Sequence, residues 1–203
     1  LAYHDGTKVK KELNKIGFKS YKFLDNDGAQ CHIFHNSEHI VIAFRGTEPT
    51  QFSDVKADLL AFKRKSRTEG KVHMGFKIEL RKLWSDISGI LEKKKHQQIW
   101  ITGHSLGGAM ATLCASRLEE RSPILYTYGS PKVGGREWRD GCDVEHYRFQ
   151  NNNDIVTRDY KFNKAIIRGV NMNKFLKLSF SFCACLSLIF SLNVIAQEIE
   201  EVV

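Results

Sequence analysis

Ile99-Trp100-Ile101-Thr102-Gly103-His104-Ser105-Leu106-Gly107-Gly108 decides how this chain is read. An apolar run leads into G-x-S-x-G, and a small-residue stretch follows over 106–118. That succession predicts a strand at 99–102, a tight turn, and a helix over 106–118. The turn would lift the Ser105 hydroxyl out of the sheet, with glycines at 103 and 107 letting the backbone pass closely. A helix N-terminus behind the serine adds N–H donors and a partial positive charge. The alternative is a small-residue turn carrying an incidental serine.

The flanking sequence supports a layered fold. Phe76, Leu80, Leu83, Trp84, Ile87 and Leu91 recur at helical spacing and predict an amphipathic helix over 75–95. Val9, Leu13 and Ile16 predict a shorter one over 9–18. Residues 31–34 and 40–44 predict a hairpin, and the run IVIAF at 40–44 suits a strand covered on both faces. A short helix is expected at 54–62, and strands at 124–128 and 147–150. From residue 75 onward the elements alternate, which argues for an α/β fold with a mainly parallel sheet.

Two further segments carry chemistry. Phe44-Arg45-Gly46-Thr47 closes the apolar strand. Acyl transfer requires donors for the oxyanion formed when a serine attacks a carbonyl. One is expected from the N–H of Leu106, the residue after the nucleophile, and one from a loop after an earlier strand, where Gly46-Thr47 sits. Taken alone FRGT is an ordinary strand end; beside Ser105 the odds reverse. Asn151-Asn152-Asn153-Asp154-Ile155-Val156 follows the strand at 147–150. A carboxylate there can orient a histidine and stabilise its imidazolium, although alone it reads as a turn aspartate.

Together these strings resemble the class 3 lipases, the family that includes fungal triacylglycerol lipases. The resemblance runs from about Leu1 to Arg158, through LAYHD, VIAFRGT, Ala57-Asp58-Leu59, KVHMGF, ITGHSLGGAMA, YTYGSPKVG and YRFQNNNDIV in that order. It implies a three-layer α/β-hydrolase fold and hydrolysis of acylglycerols or related lipid esters, with no metal or cofactor. It implies Ser105 as nucleophile, Asp154 as the triad acid, and Thr47 and Leu106 as oxyanion-hole residues. His73 and His104 match structural positions of the family. A lid is implied over 48–62, with Val55 and Lys56 where family members often carry a tryptophan.

The sequence departs from that pattern at its base. The family order is Ser, Asp, His, yet the eight histidines lie at 4, 32, 35, 39, 73, 96, 104 and 146, all before Asp154. The expectation is a hydrolase domain over 1–165, incomplete at its C-terminal end and impaired as an enzyme. The alternative is a non-catalytic, membrane-anchored protein of lipase fold that binds lipid.

Composition breaks near residue 172. A short basic start, MNKFLK, leads into the uncharged run LSFSFCACLSLIFSL at 178–192, then NVIA and the acidic QEIEEVV. That is the layout of a secretory signal peptide, and AQEIEEVV resembles the mature start of outer-membrane TonB-dependent receptors. Segment 172–203 is therefore expected to be the beginning of a different protein joined to the first, with a hydrophobic C-terminal helix serving as membrane anchor or a coincidental buried hydrophobic helix as the alternatives. Membrane association is expected if the segment is retained, and location is otherwise undetermined.

Charge bounds the partners. The 203 residues carry 31 basic and 23 acidic side chains, a formal +8. Lys63, Arg64, Lys65, Arg67 and Lys71 could meet an anionic membrane surface. No aromatic residues interleave among them for base stacking, so nucleic acid is not expected. With 42% apolar and 27% charged residues the chain is neither wholly disordered nor a polytopic membrane protein. The five cysteines lack C-x-x-C pairing and read as free thiols.

Overall fold

The computed structural model describes residues 6–46, 72–135, 138–139 and 141–150, and the backbone of 166–168. Seven strands stand side by side in chain order: β1 Ser20–Asn26, β2 Ala29–His35, β3 His39–Phe44, β4 Gln98–His104, β5 Ile124–Tyr128, β6 Glu145–Gln150 and β7 Ile166–Arg168. The first three form an antiparallel meander, and β3 to β7 pair in parallel. Among the described residues three α-helices accompany them: α1 Gly6–Lys15, α2 Met74–Glu92 and α3 Leu106–Arg117.

Side-chain alternation along each strand feeds two cores. On one face Ile40, Ile42, Phe44, Ile99, Ile101 and Leu125 bury against Phe76, Leu80, Leu83 and Ile87 of α2 and Ala109, Met110, Leu113 and Cys114 of α3. On the other face Phe34, Val41, Ala43, Trp100, Tyr126 and Phe149 pack with Val9 and Leu13 of α1. Burial on both faces is why β3 reads as an unbroken apolar run. The result is the three-layer α/β architecture, with a mainly parallel sheet, that the sequence pattern predicts.

Strand β1 is absent from the sequence reading. Its sequence, SYKFLDN, buries only Leu24 fully, because β1 is a sheet edge and half of it faces water. The signal that locates it is the turn: Asp27 (φ 51°) and Gly28 (φ 80°) form the two-residue left-handed corner of a hairpin with β2. That corner is clasped to α2. The Asn26 amide donates to the Lys82 carbonyl (2.9 Å) and to Asp86 (3.0 Å), and Lys82 reaches Asp27 (3.1 Å).

Other boundaries move by a few residues. The first helix begins at Gly6, and β6 begins at Glu145. The seventh strand, Ile166–Arg168, pairs with Arg148–Gln150 just past residue 165, where the sequence reading ended the domain. The expected helix at 54–62, the basic stretch 63–71 and the hydrophobic segment 172–203 lie outside the described residues. Among the described residues no helix is long and apolar enough to cross a membrane. Cys31 and Cys114 are buried free thiols, and Cys142 is free and half-buried.

Candidate active site

Ser105 sits where β4 stops and α3 starts. Its backbone is left-handed, φ 54° and ψ −124°, a conformation that non-glycine residues rarely adopt. Such strain persists only when the surroundings fix it. Here the Ser105 N–H donates to the Tyr128 carbonyl at the end of β5 (3.0 Å), and the Ser105 carbonyl accepts from Ala109 (3.3 Å). The hydroxyl does not cap the helix. The residue is nonetheless 5% exposed, so its environment is largely dry.

Two glycines make the elbow sharp. A Cβ on Gly103 would collide with the backbone of Gly107 and Gly108. A Cβ on Gly107 would stand 2.5 Å from the Phe44 carbonyl oxygen and 2.9 Å from the Arg45 carbonyl carbon. The first turn of α3 is therefore pressed against the end of β3. The N–H groups of such a turn have no intrahelical acceptor, and Leu106 supplies the first of them. On the other side an added Cβ at Gly108 would meet the Ser130 side chain at 2.7 Å, so the loop after β5 closes in as well.

The end of β3 is held by its neighbour. The Arg45 N–H donates to the Gln30 carbonyl (3.0 Å), and its guanidinium donates to the Gln30 side chain (2.7 Å). Gly46 then lies near the first turn of α3, 3.0 Å from the Gly107 Cβ position. Thr47, the next residue, is outside the described residues, and so is Asp154. Of the four residues singled out from sequence, the structure thus places Ser105 and Leu106 together. The strand preceding Asp154 does reach the same edge. Phe149 of β6 pairs with Tyr128 of β5, and the Gly129 N–H donates to the Phe149 carbonyl (3.0 Å).

The described histidines nearest in sequence to these elements are packed into the fold. His73 is buried and stacks on Phe76, with ring centroids 4.4 Å apart. By alternation with Trp100, half-buried His104 projects to the α1 face of β4. His146 lies at the start of β6, the strand end remote from the elbow, fully buried with Nε2 2.7 Å from Thr127 Oγ1. Burial, and secondarily the Arg148 charge, push its pKa down to about 3, so it is a neutral ring.

Arg148 was not anticipated as a site component. It is 1% exposed, beneath the helix layer, and donates from Nη2 to the Ser130 carbonyl. It thereby ties β6 to the loop that flanks the first turn of α3. The available signal was phase: in HYRF, residues 146 and 148 share the face that Leu125 and Thr127 present on β5.

Comparison with known proteins adds ancestry to this geometry. The profile of the family described as lipase (class 3) matches residues 41–163. The toxin TseL of Vibrio cholerae is 30% identical over 181 residues, covering 67% of this chain and 28% of the toxin. A lipase of Rhizomucor miehei is 31% identical over 133 residues, covering 58% of this chain and 36% of the lipase. The chain thus spans about a third of the length of these curated relatives. The solved Rhizomucor miehei triacylglyceride lipase superimposes with a TM-score of 0.54 at 24% identity, covering 68% of this chain and 60% of that one. Another fungal lipase structure gives a TM-score of 0.58 at 23% identity, covering 75% and 62%. These two likenesses establish a shared fold.

Proposed function

The chain belongs to the class 3 lipase family, and from that premise we propose that it is a serine carboxylic-ester hydrolase acting on acylglycerols or related lipid esters. The observation that carries the reading is the strained elbow: Ser105 at φ 54°, with the first turn of α3 wedged against the end of β3. Ser105 Oγ attacks the ester carbonyl and its proton passes to a base. The oxyanion that forms is held by the N–H groups of Leu106 and Thr47. Collapse expels the alcohol, and water then cleaves the acyl-serine bond. The role left to Asp154 is to orient a histidine serving as that base.

Within these 203 residues no histidine follows Asp154. An oxyanion hole and substrate binding alone retain about 10³–10⁴-fold over water. A second reading rests on the same gap: a lipid-binding protein of lipase fold, anchored through the run at 178–192 and devoid of catalysis.

A fluorophosphonate separates the two, because it needs an activated serine beside oxyanion donors. Slow labelling of Ser105 is expected, with none in Ser105→Ala. Equal labelling of both proteins, or no labelling of either, overturns the hydrolase reading.

A further inference from the structure

Among the described residues no strand lies beyond β1, so one long side of it is a sheet edge. The direction of its backbone groups follows from its neighbours. The Arg45 N–H donates to the Gln30 carbonyl, so Gln30 turns its backbone groups toward β3. That direction alternates along an antiparallel strand. Cys31, Ile33 and His35 therefore turn toward β1, where they pair with Leu24, Lys22 and Ser20. Phe23 and Asp25 are left directing their N–H and C=O groups away from the sheet.

Edges of this kind are commonly blunted by charge. Here the charges of the strand are engaged within the chain. Lys22 reaches Asp86 (3.4 Å), and Asp25 accepts from Gln30 (2.6 Å). Phe23 by contrast is 39% exposed, the one aromatic among the exposed large apolar side chains of the described residues. Its ring leans on His32, with centroids 4.8 Å apart. The edge is also held in place, since Asn26 and Asp27 tie the hairpin corner to α2.

We propose that β1 pairs antiparallel with β1 of a second copy, about a twofold axis at Phe23, so that two sheets join into one. Phe23 is the midpoint of Ser20–Asn26, so this register pairs the whole strand with itself. It sets each Phe23 against its counterpart and outward backbone groups against outward ones. It also brings exposed Lys19 opposite Asp27 of the second copy, a side chain 88% exposed although it binds Lys82. Neighbouring registers do less. Centring the pair on Lys22 places like charges opposite each other. Centring it on Leu24 sets Ser20 and Tyr21 against the turn at Asp27-Gly28. An extended segment of another protein would meet the same backbone edge, but it would not use the central place of Phe23. Pairing requires no catalysis and stands apart from the ester-hydrolase reading.

The test uses the full chain in sedimentation equilibrium, where a concentration-dependent dimer is expected. Phe23→Lys and Phe23→Glu each set like charges opposite each other, and each is expected to weaken the dimer by about tenfold or more. Mixed in equal parts, the two variants are expected to recover it, because position 23 faces itself. Melting curves of dilute samples should match that of the unaltered chain. Amide exchange at Asp25 should slow in the unaltered chain as concentration rises and stay fast in Phe23→Lys. A monomer at every concentration, a dimer indifferent to both substitutions, or a mixture no tighter than its parts overturns the proposal. So does protection of the Asp25 amide that ignores concentration, which would assign the edge to another segment of the same chain.

Discussion

Gly107 faces the carbonyl oxygen of Phe44 so closely that a single added carbon would stand 2.5 Å away from it. Helix α3 and strand β3, separated by some sixty residues of chain, are thereby set at backbone contact. The obstacle is main chain, which cannot rotate aside. Gly107→Ala is expected to destabilise the fold by about 1–3 kcal/mol, as overpacked cores are. Urea denaturation of the pair of proteins measures this, and equal midpoints would refute the contact.

The strain at Ser105 makes an opposite prediction for the neighbouring position. A left-handed non-glycine residue costs about 1–3 kcal/mol, and glycine relieves part of that cost. Ser105→Gly is expected to raise stability, by about 1 kcal/mol relative to Ser105→Ala, which keeps a Cβ and therefore the strain. Denaturant midpoints of the two variants decide the matter. If alanine is the more stable, the φ of 54° at this residue is not strained.

His146 gives the fold a pH dependence of known sign. Its folded pKa, pushed down to about 3 by burial and then by Arg148, lies below the ordinary value of 6.5. The unfolded chain therefore binds a proton that the folded one refuses. Stability is full above about pH 6.5 and falls as pH drops toward 3, by up to about 1.4 kcal/mol per pH unit. In His146→Gln this slope should be shallower over the same interval. Thermal melts of both proteins across pH 7 to 4 would show parallel curves if the ring titrates normally.

Arg121 caps a helix to which it does not belong. From the 3-10 turn after α3 it donates to the carbonyls of Leu91 (3.2 Å) and Lys94 (2.7 Å), at the C-terminal end of α2. Arg121→Met keeps much of the packing and loses both bonds, for an expected cost of about 1–2 kcal/mol. Hydrogen exchange should speed up in the last turn of α2 more than in its first. Uniform acceleration along the helix would count against capping.

Periodicity made the central layers legible. The two-sided burial of β3 and β4 and the helical spacing of Phe76, Leu80, Leu83 and Ile87 are properties of the local sequence, as is the turn that carries Ser105. Strand β1 escaped because an edge strand carries Lys22 and Asp25 where a central strand would carry apolar residues. The contacts that shape the site escaped for a different reason. Gly107 against Phe44, and Arg148 on Ser130, join residues distant in sequence, and no window of sequence contains both members. The motif identified Thr47 and Asp154 as site residues by resemblance, and they remain part of the proposal.

The strands also stand in the order in which they are made. Every strand from β2 onward pairs with the one synthesised just before it. A chain emerging from the ribosome can lay this sheet down by accretion, one strand at a time at a single advancing edge, and no strand needs to be inserted between two already joined. The elbow at Ser105 is framed once β5 has docked on β4. It sits in the interior of the described sheet, and β6 and β7 lengthen the far border without reopening it.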